Sequence, residues 1–334
     1  MSPRNTAVSG HNSSRRVRTA RLIPVALSTA MLAAGCGAAA AARPAASKTV
    51  TPITVAAVPG EGSAGIYIAQ DDGLFAKAGL KVTITSVSSS DVVMPQMKAG
   101  SVQIVSGQYS SYVAAEVAGV ASMRILSAGF SLGPRVQVVM IGPHSPISSA
   151  AQLRGTTIAV NAVNSETTDL LYTALTSYGI KANQVRVVAI PFPAMPAALA
   201  AGRIDAIYEI EPYATEASQQ HGDEQLLDID SGAAQSFPIS GAAALTSWVT
   251  SHPQTAAAFA RAVEQGNRIA ATNLGALERA FETTLHLPAQ VTDVMALGTF
   301  PTSIDSIELQ RVSDLMQQYG QLSKPFSVAS MVAK

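Results

Sequence analysis

The pattern of apolar and polar positions along the chain occurs twice, roughly 100 residues apart. The first copy has strand-like apolar runs at 53–58, 82–87 and 102–105, separated by helical stretches. The second copy has its apolar runs at 157–160, 185–190 and 204–208. Short apolar runs bounded by glycines and polar turns are typical of strands, and the longer segments between them favour helices. Each copy is therefore predicted to form a β-α-β-α-β unit.

Each copy also places a polar turn directly after its first strand. In open α/β sheets ligands bind beyond the carboxyl ends of the strands. The repeat therefore predicts an α/β fold of two lobes, joined by two crossing segments near 128–145 and 236–246, with a ligand cleft between them. The expected boundaries are lobe one at 51–135, lobe two at 146–236, and C-terminal helices at 247–334 that complete lobe one.

The N-terminus has the pattern of an export signal. A basic region ends at Arg21, an apolar region covers 22–34, and Cys36 follows among small residues. The apolar region is too short for a membrane span, which needs about 20 residues. We expect a signal peptide over 1–36 and a flexible tether over 37–50. Sec and twin-arginine export both remain open.

Cys36 is the only cysteine of the chain, so no internal disulfide can form. Its position resembles a bacterial lipobox, although Leu32 stands four residues before it instead of three. We expect Cys36 to be lipidated and to anchor the protein to the outer face of the cytoplasmic membrane. The alternative is an ordinary cleaved signal with a cysteine nearby.

Charge and motif content exclude several classes of function. Beyond residue 35 the chain has 17 basic and 22 acidic side chains, which disfavours a nucleic-acid partner. The five histidines are scattered without metal-ligand spacing, and no phosphate-binding loop or hydrolase nucleophile motif occurs. We therefore expect no metal, no cofactor and no catalytic residue.

Several segments together resemble one family. They are Ala69-Gln-Asp-Asp-Gly-Leu-Phe-Ala-Lys-Ala-Gly-Leu-Lys-Val82, Met97-Lys-Ala-Gly-Ser-Val-Gln-Ile104, Ala150-Ala-Gln-Leu-Arg-Gly-Thr-Thr-Ile-Ala-Val160, Ala198-Leu-Ala-Ala-Gly-Arg-Ile-Asp-Ala206 and Glu211-Pro212. In order and spacing they are similar to the nitrate/sulfonate/taurine and thiamine-precursor group of ABC-transporter substrate-binding proteins. The resemblance covers essentially all of 51–334.

This resemblance implies a type 2 periplasmic-binding fold and a function without chemistry. The protein would capture a small molecule by hinge closure and deliver it to an ABC permease, which an ATPase drives. We expect it to act as a monomer. Sulfonate or taurine is the leading ligand class, and an aminopyrimidine precursor of thiamine is the alternative.

Candidate ligand contacts follow the predicted strands. In lobe one the hydroxyl and amide groups after the strands suit a polar ligand, although helix capping and turn chemistry explain several of them equally well. In lobe two a helix start favours an anionic group, with N-capping as the alternative function of the same residues. The candidates are Ser63, Ser89, Ser90, Gln108 and Tyr109 in lobe one, and Asn161, Asn164, Ser165, Glu166 and Thr167 in lobe two.

Four further candidates end the later strands of lobe two. Phe192 and Tyr208 can stack on a flat ligand, although an aromatic at a strand end more often packs in the core. Glu209 and Glu211 can recognise an amine or a ring N–H. The same carboxylates can equally form salt bridges between the lobes or face solvent.

Two rival functions share this pattern. Pyrimidine-forming enzymes of yeast have the same fold, but their family pattern includes a cysteine-rich iron-binding segment that a chain with one cysteine cannot supply. A ligand sensor without transport is the second rival. Genes for a permease and an ATPase beside this one would favour the transporter.

Overall fold

The computed structural model describes residues 50–333, which belong to a single structural unit. The predicted signal peptide, the lipidation site at Cys36 and the predicted tether except Val50 lie outside the described residues. Within the described part, no helix combines the length and apolar character that crossing a bilayer requires.

The strands of residues 50–333 are β1 (Thr51–Ala57), β2 (Leu80–Ser86), β3 (Ile104–Gln108), β4 (Met123–Ser131), β5 (Gln137–Ile141), β6 (Thr157–Val160), β7 (Arg186–Ala189), β8 (Ala206–Ile210), β9 (Glu224–Asp228) and β10 (Pro238–Leu245). The α-helices of the same residues are α1 (Ala64–Asp71), α2 (Leu74–Lys77), α3 (Met94–Lys98), α4 (Tyr109–Val117), α5 (Glu166–Thr176), α6 (Met195–Ala200), α7 (Tyr213–His221), α8 (Thr246–Ser251), α9 (Pro253–Thr272), α10 (Leu274–Leu285), α11 (Ala289–Thr292) and α12 (Ser306–Gln318).

These strands form two five-stranded sheets with the same internal plan. The first has the order β2-β1-β3-β10-β4, and the second has the order β7-β6-β8-β5-β9. In each sheet three parallel strands of one repeat lie beside an antiparallel strand, which is β10 in the first and β5 in the second. The predicted two-lobed α/β fold is confirmed, and each crossing of the chain leads into the antiparallel strand of the next lobe.

The first sheet is buried on both faces, as its continuous apolar strands require. Ile53 and Val55 of β1 pack into an apolar cluster on one face, where Phe75 stacks on Phe259 of α9 with 5.3 Å between ring centroids. Ala56 belongs to the cluster on the other face. Full burial of each large apolar side chain stabilises the fold by roughly 1.5–3 kcal/mol.

The position predicted for the second crossing is wrong. Residues 238–245, which the sequence placed in the crossing, form the central strand β10, and the connection between the lobes runs through 229–237. The cause is the small size of these residues. A Cβ at Gly241 would lie 2.4 Å from the Ser127 carbonyl oxygen, so a strand without side-chain bulk is needed here. The first crossing occupies only 132–136.

The second crossing is held by α12 of the C-terminal segment. Arg311 donates from Nη2 to the carbonyl oxygens of Ala233 and Gln235, at 3.0 and 2.8 Å. Its guanidinium lies 5.3 Å from the centre of the Phe237 ring. The helix thus binds the connection between the lobes as well as packing on α4 and β10.

Candidate functional site

The carboxyl ends of the parallel strands meet between the lobes. Gln108 ends β3 in lobe one, and Glu166 begins α5 after the loop that follows β6 in lobe two. The Gln108 side chain donates from Nε2 to Oε1 of Glu166 at 3.4 Å, and the Ser110 hydroxyl of α4 lies near enough to the Glu166 carboxyl to lower its pKa. The two predicted edges therefore face each other across one cleft, and this contact brings two of the predicted site residues together.

The serine candidates of lobe one make their contacts within that lobe. Ser63 is buried and hydrogen-bonds the Val58 carbonyl at 2.8 Å and the Ser106 hydroxyl at 2.9 Å. Ser90 is also buried, and its Cβ occupies the space that a side chain at Gly107 would need. Ser89 is half-buried beside it. Of the lobe-one candidates, only Gln108 is exposed.

The loop after β6 presents the most open polar surface of the predicted site. Asn161 and Asn164 are exposed, and Asn164 has a positive φ of 54°. Ser165 is the N-cap of α5 and accepts from the Thr168 N–H, so the predicted capping function is confirmed. The half-buried Thr167 follows in the first turn. A helix start lacks intrahelical partners for its first N–H groups, and these suit an acceptor on a ligand.

Phe192 lies in a short turn after β7 and is half-buried. Its ring stacks on Tyr213, the first residue of α7, with 5.6 Å between centroids and 20° between ring planes. The pair places an aromatic surface beside the strand ends of lobe two. Tyr213 was not predicted, because a tyrosine at a helix start carries no pattern that separates packing from binding.

Three other candidates are enclosed within single lobes. Tyr208 packs in the core, as an aromatic at a strand end more often does, whereas Glu209 takes neither the solvent-facing nor the paired position that was expected of it. The hydroxyl of Tyr109 lies against the backbone of Gly129 and Gly241. Tyr208 is fully buried and donates to Gln137. Glu209 is fully buried on the face of β8 that packs under α7. The physical reason is that β8 ends two residues later than predicted. Tyr208 and Glu209 therefore lie inside the strand, on its two buried faces, while Tyr109 begins α4.

Glu211 contacts the C-terminal segment at the hinge instead of solvent. Its carboxylate accepts from the Ala296 N–H at 3.0 Å and from the backbone and hydroxyl of Thr215. Glu61, in the turn after β1, lies near enough that the two carboxylates repel each other, and the Gly298 N–H hydrogen-bonds it. Burial raises the pKa of both carboxyls.

Glu61 is the main residue that the sequence interpretation missed. It is the only charged side chain in the turn 58–63, which is a detectable signal, but the glycines on both sides suggested turn chemistry alone. Its partner Gly298 comes from a segment more than 200 residues away, and nothing in the sequence places that segment at the hinge.

Helix α5 carries two buried carboxyl groups toward the other lobe. Burial raises the pKa of Glu166 to about 8, with an opposing contribution from the nearby Ser110 hydroxyl and a smaller raising contribution from Asp169. Burial also raises the pKa of Asp169 to about 7. Asp169 accepts from Gln321, and Thr173 lies 3.1 Å from the hydroxyl of Tyr319. The same helix thus connects both lobes and the C-terminal segment.

Two concavities lie near the hinge, and each includes one candidate residue. The larger, about 220 Å³, is lined by Tyr109, Pro238 and the start of α12. The smaller, about 150 Å³, is lined by Arg135, Glu211 and Thr215. Across residues 50–333, no group of three or more His, Cys, Asp or Glu side chains is arranged to hold a metal ion.

Comparison with known families and solved structures shows which proteins share this sequence pattern and fold. The sequence profile of the family described as NMT1/THI5 like matches residues 61–273, which is more than half of the chain. The chain belongs to this NMT1/THI5-like family. The match spans the strand ends of both lobes, and therefore every candidate contact named above except Cys36. No curated protein matches the chain.

Solved structures share the fold of this NMT1/THI5-like chain. The aliphatic sulphonate binding protein SsuA of Escherichia coli is 19% identical over 85% of this chain and 92% of its own, with a TM-score of 0.71. The alkanesulfonate-binding SsuA of Xanthomonas axonopodis pv. citri, bound to MOPS, is 15% identical over 85% and 98%, with a TM-score of 0.65. The nitrate-binding NrtA of Synechocystis PCC 6803 is 15% identical over 84% of each chain, with a TM-score of 0.65. At these identities the likeness concerns the fold.

The arrangement can bind a small molecule between two lobes. Exposed amide groups, a helix start, an aromatic pair and several carboxyls meet at the strand ends, and two short connections allow the lobes to move. These groups suit hydrogen bonding to a polar ligand that closure removes from water.

Proposed function

We propose that the chain is the extracytoplasmic substrate-binding component of an ABC importer, which captures a small polar molecule by hinge closure. The observation that carries this proposal is the meeting of the two strand-end edges at Gln108 and Glu166. Membership of the NMT1/THI5-like family and the likeness in fold to sulfonate- and nitrate-binding proteins support it. The protein would deliver its ligand to a permease coupled to an ATPase.

We further propose that the protein is exported, anchored to the membrane and monomeric. The basic and apolar segments before Cys36 favour export and a lipid anchor at that residue. A tethered binding protein raises the ligand concentration near its permease. We propose that it acts as a monomer. Lobe one, predicted at 51–135 and 247–334, also includes β10, and lobe two, predicted at 146–236, also includes β5.

The leading ligand class is a sulfonate or a taurine-like aminosulfonate. Three oxygens of a sulfonate can accept from Gln108, from Asn161 and from the first N–H groups of α5. Capping by Ser165 satisfies the N–H of Thr168, which leaves those of Glu166 and Thr167 for a ligand or water.

A flat ligand with amino or ring N–H groups is the second ligand class, and a separate structural feature favours it. The stacked pair Phe192 and Tyr213 offers a flat aromatic surface, and the unpartnered Oε2 of Glu166 offers an acceptor for a ring N–H or an amino group. An aminopyrimidine precursor of thiamine has both features, so it is the alternative ligand. A pyrimidine-forming enzyme or a ligand sensor of the same fold is the rival function.

Thermal unfolding of the full chain with each ligand tests the proposal. A ligand at 100 times its Kd stabilises the folded state by about 2.7 kcal/mol, which shifts Tm measurably. We expect stabilisation by one ligand class and recovery of that ligand unchanged. Conversion of the ligand would favour the enzyme. Stabilisation by none of the sulfonates, nitrate or aminopyrimidines would contradict the ligand assignment.

A further inference from the structure

At the contact between the two lobes, the Glu166 carboxyl has one oxygen without a hydrogen-bond partner among residues 50–333. Its side chain is 93% buried, with a relative exposure of 7%. Oε1 accepts from Gln108, whereas Oε2 is buried and lacks a hydrogen-bond partner among the described residues. A buried carboxyl oxygen without a partner costs free energy, and a donor arriving with a ligand removes that cost.

The contact that Glu166 does make is weak enough to yield to a ligand. Its 3.4 Å separation from Gln108 Nε2 exceeds the usual 2.7–3.2 Å of such hydrogen bonds. Gln108 is exposed and lies on the other lobe, so its amide can turn away as the lobes move. Glu166 is therefore held in place by its own helix, while its Oε2 atom remains available to accept a hydrogen bond from a ligand.

The other groups around Glu166 supply no positive charge. They are the Ser110 hydroxyl on α4, Asp169 on α5, and the Tyr208 ring on β8, whose hydroxyl is directed to Gln137. Asp169 adds negative potential at the Glu166 carboxyl, and Tyr208 is itself fully buried. A cationic or N–H donor is the complement that this environment lacks.

We infer that Glu166 determines ligand specificity by accepting a hydrogen bond from an ammonium or N–H group, so that the cleft selects ligands that carry such a donor. This inference rests on the proposed binding function. The ligand thus has two parts. One is an acceptor for the first N–H groups of α5 and the amides nearby, and the other is a donor for Glu166.

Matched ligand pairs test this inference. Taurine differs from propanesulfonate chiefly by an ammonium in place of a methyl group, and a 4-aminopyrimidine differs from the same ring without its amino group. We expect the donor-bearing member of at least one pair to bind the full chain 10- to 100-fold more tightly, since a hydrogen bond to a charged group has about that effect. Glu166→Gln should remove most of this preference.

Asp223→Asn is the matched control. Asp223 is also a buried carboxyl of lobe two with an unpartnered oxygen, but it precedes β9 and has no contact with lobe one among the described hydrogen bonds. Its substitution should leave the preference intact. Equal binding of both members of each pair by the wild type would overturn the inference while leaving the binding function in place. Absence of binding by every member would contradict both.

The pH dependence of the wild type provides a second test that needs no variant. Burial raises the pKa of Glu166 to about 8, so the carboxyl must release its proton to form an ion pair with an ammonium. Taurine affinity should therefore rise about tenfold per unit from pH 6 toward 7.5, while propanesulfonate affinity stays nearly constant. Parallel pH profiles for the two ligands would overturn the inference.

Discussion

At the scale of single residues, the described part of the chain buries carboxyl groups without giving them cations. Glu166, Glu209 and Asp223 are each less than 10% exposed, and each has an oxygen without a hydrogen-bond partner among residues 50–333. Only one salt bridge, between Arg311 and Glu308 on α12, occurs in the same residues. Burial therefore raises the pKa of these carboxyls, and their protonation becomes part of the stability of the fold.

Glu209 should make the protein less stable as the pH rises. Burial raises its pKa to about 9, above the ordinary value of 4.5 that a glutamate has in the unfolded chain. The native state then binds more protons than the unfolded state between these values, so the contribution is present below 4.5 and is lost as the pH approaches 9. We expect Glu209→Gln to have a higher Tm than wild type at pH 9, by about 2 °C or more.

The measurement is calorimetric unfolding of both proteins at pH 5.5 and pH 9. Glu224→Gln, on exposed strand β9 nearby, is the control and should follow the wild type at both pH values. A Glu209→Gln protein that loses stability with pH as steeply as the wild type would show that this carboxyl is not the proton-binding group.

The N-cap of α5 should contribute measurably to the free energy of unfolding. Ser165 accepts from the Thr168 N–H and donates to the Ala162 carbonyl at 2.7 Å, so it fixes both the helix start and the loop before it. Ser165→Ala should cost about 1 kcal/mol of unfolding free energy, and Ser165→Asp should recover most of it. Denaturant titration measures both. An Ala variant as stable as the wild type would contradict the capping function.

At the scale of elements, the sequence predicted the strands correctly wherever the hydrophobic pattern was strong. The runs at 53–58 and 157–160 became β1 and β6, and their polar turns lie at the cleft as expected. The strand prediction failed where a strand consists mostly of small residues. The run 238–245 has too little hydrophobic contrast to indicate a strand, yet close packing against Tyr109 and Ser127 is what requires such residues.

The same close packing joins α1 and α9. A Cβ added at Gly266 would lie 2.0 Å from the Gly65 carbonyl oxygen, so Gly266→Ala must push the two helices apart. We expect a loss of at least 1–3 kcal/mol in unfolding free energy, despite the better helix propensity of alanine. Thermal or denaturant unfolding measures the loss.

Gly275→Ala in α10 is the matched control for this substitution. Its nearest neighbouring atom would lie 3.6 Å from the new Cβ, which is ordinary van der Waals contact. This variant should be neutral or up to about 1 kcal/mol more stable than wild type. Equal effects of the two substitutions would contradict the assigned helix contact.

At the scale of the whole molecule, the site depends on segments that are distant in sequence. The repeat predicted two lobes and the approximate position of their polar edges, because strand order and carboxyl ends follow from the β-α-β-α-β pattern. It did not predict that Ala296 and Gly298 would hydrogen-bond Glu211 and Glu61 at the hinge. Such contacts depend on tertiary packing of a C-terminal segment that has no periodic signal of its own.

Binding and closure of the two lobes is the central claim. It is tested most directly by isothermal titration calorimetry of the full chain with taurine, propanesulfonate, nitrate and the aminopyrimidine, followed by analysis of the recovered ligand. We predict saturable binding of one ligand per chain, tightest for a donor-bearing ligand and weakened in Glu166→Gln, with the ligand chemically unchanged. Saturable binding with none of these ligands would contradict the ligand assignment, and turnover of the bound ligand would contradict the assignment as a transport binding protein.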